Sequence, residues 1–230
     1  QLTNGTANTI ALTDAIVDTA NGATAHQLTI SNGTATVSLD ASLATTSTDR
    51  VIIGGTGAVT LSAAATKVMT ASGVDNNIVG FAGGGDTIIT KNNHLNSVDT
   101  ISGGATGTDT LQFDDATTLN FATANHITGF ENLSFQVNGS SITLSDAFVG
   151  AGNLTLTGTG NTTTATVDTS AVTTNSVIVA QGYITLGGSN DRVTITDTAA
   201  SVAGGAGSDR MIFADADDID TGDTLAGGAN

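Results

Sequence analysis

The chain is a succession of short segments in which aliphatic or β-branched residues alternate with small polar residues. Residues 34–39 (TATVSL) and 193–196 (VTIT) are examples. Such a two-residue period is typical of a strand with one buried face, and it predicts strands of about five residues. Asn-Gly and Ser-Gly steps between the segments, as at Asn32-Gly33 and Ser72-Gly73, predict turns with positive φ. The pattern therefore predicts an all-β fold.

An internal repeat organises these segments. The triplet Asp-x-aliphatic recurs along the chain, and the Gly-Gly pairs that open such units begin at Gly83, Gly103, Gly187, Gly204 and Gly227. Within the two clusters neighbouring pairs are 20 (83 to 103), 17 (187 to 204) and 23 (204 to 227) residues apart. Two strands and two turns fit such an interval, which is the period of a flattened solenoid coil. We predict an elongated, irregular parallel β-solenoid or β-roll that is stabilised by calcium.

The repeats flank a central zone that lacks Gly-Asp units and is rich in Phe and Thr. The sequence predicts three segments: a β-solenoid with degenerate calcium-binding turns at 1–110, a Phe/Thr-rich β segment at 111–180, and calcium-binding coils at 181–230. The chain begins with Gln1 instead of Met and ends inside a Gly-Gly motif. We therefore expect it to be an excerpt of a longer protein whose coils continue.

The composition of the chain argues against several classes of function. The 230 residues include 21 acidic and 5 basic side chains, which give a net charge of −16. Nucleic-acid binding needs clustered Lys and Arg, so this balance argues against it. The absence of Cys excludes disulfides, cysteine-ligated zinc and cysteine nucleophiles. No apolar run approaches the ~18 residues of a membrane span.

The most complete chemical motif is residues 204–212 (GGAGSDRMI), which matches the calcium-binding nonapeptide Gly-Gly-x-Gly-x-Asp-x-U-x with Met211 as the apolar U. Its glycines permit a tight turn whose carbonyls converge, and its Asp adds a carboxylate. Calcium takes six to eight oxygens, so two adjacent turns must share an ion.

Partial copies of this motif lie at 83–88, 103–111 and 187–193. We predict Ca²⁺ as the cofactor, with ligands drawn from Gly83, Gly84, Asp86, Asp99, Gly103, Gly104, Gly107, Asp109, Gly187, Gly188, Asn190, Asp191, Gly204, Gly205, Gly207, Asp209, Asp215, Asp217, Asp223, Gly227 and Gly228. The dense acidic run from Asp215 to Asp223 is either a further calcium site or a solvated loop.

The three arginines share one position in the repeat. Arg50, Arg192 and Arg210 each follow an Asp and precede an apolar residue, so alternation places them on the outer face. They pair either with acidic surfaces of neighbouring molecules or with a local Asp.

In these motifs the chain resembles the repeats-in-toxin family, and the resemblance covers about Asn76 to Phe113 and Gly187 to Asn230. Residues 108–113 (TDTLQF) followed by 127–133 (ITGFENL) look like the "DTL … GFExL" pattern of surface-layer proteins and large adhesins of that family. The resemblance implies type I secretion from a Gram-negative bacterium, an extracellular location, folding in external calcium, and Gly carbonyls and Asp carboxylates as ligands. The family's toxins and proteases carry long runs of complete nonapeptides. This chain has one, which favours a structural solenoid.

The first hypothesis for function is a calcium-dependent structural protein of the bacterial cell surface that assembles with itself into a surface layer or filament. Its partners would be other copies and, through regions outside the excerpt, cell-surface polysaccharide. The alternatives are a stalk or adhesive segment of a large secreted adhesin and the translocation module of a secreted hydrolase. We expect no enzymatic activity in this segment, because Glu131 is its one Glu and it has one Tyr and no Trp.

Overall fold

A computed structural model describes most of the 230-residue chain. The described residues are 8–13, 27–43, 50–62, 66–83, 85–121, 123, 126–149, 153–158, 164–172, 176–187, 190–195, 200–213, 219 and 223–229. Four predicted calcium ligands lie outside the described residues: Gly84, Gly188, Asp215 and Asp217.

Strands form nearly all of the regular structure in the described ranges. They are β1 (Asn8–Thr13), β2 (Gln27–Ile30), β3 (Val37–Leu43), β4 (Arg50–Ile53), β5 (Val59–Leu61), β6 (Lys67–Thr70), β7 (Asn77–Val79), β8 (Thr87–Thr90), β9 (Thr100–Ser102), β10 (Thr110–Phe113), β11 (Thr118–Asn120), β12 (Ile127–Thr128), β13 (Asn132–Phe135), β14 (Ser140–Thr143), β15 (Asn153–Gly158), β16 (Thr164–Asp168), β17 (Ser176–Leu186), β18 (Arg192–Ile195), β19 (Ala200–Ala203), β20 (Arg210–Phe213) and β21 (Thr224–Ala226). One short helix, α1 (Asp146–Val149), precedes β15.

The chain forms two compact units. Unit 1 contains Gln1–Leu111 and His126–Gly129, and unit 2 contains Gln112–Asn125 and Phe130–Asn230. The boundary between Leu111 of unit 1 and Gln112 of unit 2 falls inside β10. The three-segment division made from the sequence stays a prediction, since it is not tested by this division into two units.

Unit 1 is a stack of coils with two columns of parallel strands. One column has the order β1-β3-β5-β7-β9-β12, and the other runs β2-β4-β6-β8 with the start of β10 next. An aliphatic ladder fills the interior of the first column, and each member is 2% exposed or less: Val37, Val59, Ile78, Ile101 and Ile127. Each such side chain contributes about 1.5–3 kcal/mol through burial.

Unit 2 repeats this arrangement. One column contains β13, β15, the first part of β17, β18 and β20, and the other contains β11, β14, β16, the second part of β17, β19 and β21. The phenylalanines of the central zone pack inside this unit. Phe113 stacks on Phe135 with ring centroids 5.5 Å apart, and Phe121 stacks on Phe148 at 3.7 Å.

The predicted fold class is confirmed, because both units are parallel β-solenoids. The register shows the coil length directly: Val68 pairs with Ile88, Ile78 with Ile101, and Val193 with Met211. Parallel strands place equivalent turns of successive coils above one another. In the described part of the chain, no helix is long and apolar enough to span a bilayer.

Candidate metal centre

The glycine turns of unit 2 lie directly above one another. Gly205 and Gly207 have φ of +81° and +129°, a region that L side chains rarely adopt. A Cβ at Gly205 would also collide with the carbonyl oxygen of Gly187, and one at Gly228 would collide with that of Gly205. The Ala229 amide donates to the Gly205 carbonyl at 2.8 Å. Glycine is therefore required here by the close approach of coil backbones, whether or not an ion is bound.

Unit 1 builds a similar turn from its partial motif. Gly104 and Gly107 have φ of +138° and +107°. A Cβ at Gly103 would collide with the carbonyl oxygen of Gly129 in the neighbouring coil, while Gly83 lies in an exposed turn. Among the described residues, several predicted glycines lie close to the backbone of an adjacent coil: Gly103, Gly104, Gly204, Gly205 and Gly228.

The repeated aspartates join consecutive coils through a series of hydrogen bonds that we call the carboxylate ladder. In each step, one carboxylate oxygen accepts the main-chain N–H of the corresponding turn one coil earlier. The five bonds are Thr66 N to Asp86 Oδ1 (2.9 Å), Asn76 N to Asp99 Oδ1 (2.6 Å), Asp86 N to Asp109 Oδ1 (2.8 Å), Thr169 N to Asp191 Oδ1 (2.7 Å) and Asp191 N to Asp209 Oδ1 (3.0 Å). Hydrogen bonds to a charged acceptor contribute about 1.5–3 kcal/mol each.

In unit 1 the ladder carboxylates of Asp86 and Asp99 have hydrogen bonds on both oxygens. Asp86 is fully buried and its Oδ2 accepts the Phe81 N–H at 2.6 Å, while Asp99 is 1% exposed and its Oδ2 accepts the Asn96 N–H at 2.5 Å. Burial raises the pKa of both carboxyl groups, and the backbone hydrogen bonds oppose that rise. A calcium ion would have to compete with these N–H donors. Asp86 and Asp99 therefore fit a metal-free clamp better than a calcium site.

In unit 2 the ladder carboxylates each keep a buried oxygen without a partner. Asp191 is 2% exposed, and its Oδ1 accepts both the Thr169 N–H and, at 2.8 Å, the Thr169 hydroxyl. The Oδ2 atoms of Asp191 and Asp209 are buried and have no hydrogen bond. Burial raises the pKa of Asp191, and the charges of Asp168 and Asp209 raise it further. These two oxygens need a proton or a cation nearby.

The donor set of unit 2 fits calcium in chemical type. Carboxylate and carbonyl oxygens are the hard ligands that Ca²⁺ prefers. Among the described residues, no three His, Cys, Asp or Glu side chains are grouped to hold a metal ion. Asp191 and Asp209 would therefore act together with turn carbonyls and with water, whereas the carbonyls of Gly187 and Gly205 already accept the N–H groups of Ala206 and Ala229.

The remaining predicted ligands of unit 2 are placed as follows. Gly204 is buried, and its N–H donates to the Ala226 carbonyl at 2.7 Å. Asp223 is half-buried before β21, and Gly227 and Gly228 are exposed after it. Asn190 is exposed, and its Oδ1 already accepts the Ser208 N–H at 2.8 Å, so its amide oxygen is engaged.

Sequence reasoning missed the donors of the ladder. Thr66, Asn76 and Thr169 carry the main-chain N–H groups that the Asp side chains bind, and Asp168 adds the further negative charge near Asp191. A signal was present, because each donor lies 20 to 23 residues before its Asp, which is one coil. Composition and motif matching do not use that spacing.

Comparisons with protein-family models, with curated proteins and with solved structures found no match to this chain. A function for this chain is therefore inferred from its turn geometry and from motifs such as residues 204–212.

Proposed function

We propose that this chain is a calcium-dependent structural protein of the bacterial cell surface, located outside the cell, which assembles into a surface layer or filament and catalyses no reaction. One observation carries the proposal. Two stacked turns of unit 2 bury the Oδ2 atoms of Asp191 and Asp209 without a hydrogen-bond partner, in a chain of net charge −16. Calcium at this place would neutralise the buried charge and join the turns.

The two units would then differ in how they are held together. In unit 1 the backbone N–H groups of Phe81 and Asn96 occupy the oxygens that an ion would need, so this unit folds without metal. In unit 2 the ion supplies the missing partner, and Asp191 and Asp209 with adjacent Gly carbonyls would hold it. Extracellular calcium sites have a Kd of ~10⁻⁴–10⁻³ M. External calcium would therefore complete the fold outside the cell.

The test is a calcium titration of the whole chain, followed by far-UV circular dichroism and light scattering in the same samples, from excess chelator to ~10 mM calcium. We expect a partial β signal in chelator from unit 1, a rise with calcium as unit 2 folds, and growing scattering as copies assemble. A rise of β signal without scattering would favour the adhesin stalk. An unchanged, complete β signal in chelator would refute the calcium dependence.

A further inference from the structure

Two arginines lie side by side on the outer face of unit 2. Arg192 of β18 and Arg210 of β20 are register partners in neighbouring parallel strands, and both side chains are exposed. Neighbouring strands are about 4.8 Å apart, so the two like charges repel each other and destabilise the pair. A chain with only 5 basic residues thus places two of them together, at a cost in stability.

The carboxylates that precede these arginines do not neutralise them. The Asp191 and Asp209 side chains face inward, where each Oδ1 accepts a main-chain N–H of the preceding coil and each Oδ2 is buried. Within the described ranges, neither guanidinium has an ion pair or a hydrogen bond. Among the described residues, pairing with a local Asp, one of the two alternatives left open by the sequence, is therefore not seen at Arg192 or Arg210. The side chain of Arg50 lies outside the described residues.

Two further side chains lie close to the arginines in sequence. Asn190 and Ser208 each lie two residues before an arginine, in the turns that lead into β18 and β20. Both are exposed. Because the Asn190 Oδ1 accepts the Ser208 N–H, its amide nitrogen is left as a donor. The four side chains, which we call the arginine patch, offer guanidinium, amide and hydroxyl donors and no carboxylate.

We propose that the arginine patch binds carboxylates on the surface of a second copy of this chain. A guanidinium forms two parallel hydrogen bonds with a carboxylate, and two stacked guanidinium groups can bind an acidic edge. Each copy carries 21 acidic side chains against 5 basic ones. Asp86, Asp99, Asp109 and Asp191 are buried, so the carboxylates that another copy offers are exposed ones such as that of Asp75.

The contact joins unlike surfaces, basic on one copy and acidic on the next. Such a heterologous contact forms a ring where the rotation between copies closes, and otherwise it propagates into an open chain of the kind that a filament needs. The inference deepens the proposed function, on which it depends, because it names the surface through which copies associate.

The experiment compares the intact chain with two double variants in ~10 mM calcium, by sedimentation velocity over a range of protein concentrations. Arg192→Gln with Arg210→Gln removes the patch charges. Lys67→Gln with Lys91→Gln is the matched control, because it removes two positive charges from unit 1. We expect the arginine variant to weaken association at least about 10-fold and the control to change it less than about 2-fold. A third variant, Arg192→Lys with Arg210→Lys, keeps the charge and should recover only part of the association, because Lys lacks the planar fork.

The outcomes separate the two proposals. If the intact chain folds and assembles in calcium, and the arginine variant assembles equally well, the patch is not the contact and only this inference fails. If the intact chain stays monomeric in calcium, both fail. If the patch binds polygalacturonate, and the arginine variant loses that binding but not assembly, the partner is an acidic polysaccharide and the second copy is excluded. Because both arginines are exposed, the variants should keep the wild-type circular dichroism spectrum, and the lysine variant provides the comparison if the glutamine variant does not fold.

Discussion

Replacing Asp191 by Asn should change stability in opposite directions with and without calcium. Asn keeps an oxygen to accept the Thr169 N–H but removes a buried negative charge whose Oδ2 has no partner and which lies near the charges of Asp168 and Asp209. An unsatisfied buried polar group costs about 1–3 kcal/mol, and more when it is charged. In chelator the variant should therefore be more stable than the wild type by about 1–2 kcal/mol.

Calcium should reverse this order. At ~10 mM calcium, a site with a Kd of ~10⁻⁴–10⁻³ M stabilises the folded state by about 1.4–2.7 kcal/mol. The wild type should gain that amount, whereas Asp191→Asn, which has lost a carboxylate ligand, should gain little. The measurement is urea unfolding of the whole chain followed by circular dichroism, in excess chelator and in ~10 mM calcium.

Asp86→Asn is the matched control, because it changes a buried ladder carboxylate of unit 1 in the same way. Both Asp86 oxygens accept main-chain N–H groups, from Thr66 and Phe81. In either orientation, the NH2 group of the Asn amide would therefore face one of these N–H donors. The loss should be about 1–3 kcal/mol and equal in chelator and in calcium. The reasoning is refuted if Asp191→Asn responds to calcium as strongly as the wild type, or if the effect of Asp86→Asn depends on calcium.

Three further predictions follow from the same contacts. Burial raises the pKa of Asp191 above 3.8. In chelator, the contribution of Asp191 to stability is therefore fully present below pH 3.8 and is lost as pH rises through the raised pKa. The urea midpoint should fall over that pH range, and saturating calcium should remove the fall. Gly205→Val should lower the urea midpoint of unit 2 through strain at φ +81° of about 1–3 kcal/mol, whereas Gly227→Ala, where a Cβ meets nothing within 4 Å, should not. Thr70→Val should cost about 1 kcal/mol in thermal unfolding, since it removes a 3.1 Å hydroxyl contact with the buried Thr90, and an unchanged melting temperature would contradict that contact.

The carboxylate ladder explains why one sequence motif can serve two physical purposes. A Gly-rich turn followed by Asp stacks under its neighbour, and the Asp then holds the coil above it through a main-chain N–H. The environment of the second carboxylate oxygen decides whether the turn needs a proton or a cation. Where a local N–H reaches it, as at Asp86, the turn is complete; where none does, as at Asp191 and Asp209, a proton or cation must supply the partner.

Strand alternation and coil length could be predicted from local sequence. The period of two residues in segments such as 193–196 and the spacing of the Gly-Gly pairs are enough to predict parallel strands stacked in coils, because a strand's faces and a coil's length are set by neighbours along the chain. The Phe-rich zone, which the sequence also shows, contributes the stacked pair Phe113 and Phe135. For these features the sequence by itself determined the fold class.

Only the tertiary structure decided what each aspartate does. Asp86 and Asp191 occupy the same place in the motif, yet the first has N–H donors on both oxygens and the second has a buried oxygen with none. The register of Arg192 beside Arg210 likewise depends on how two coils align. Hydrogen bonds, burial and the alignment of charges between coils involve residues about 20 apart. Local pattern does not specify them, because each depends on which turns the stacked backbone brings together.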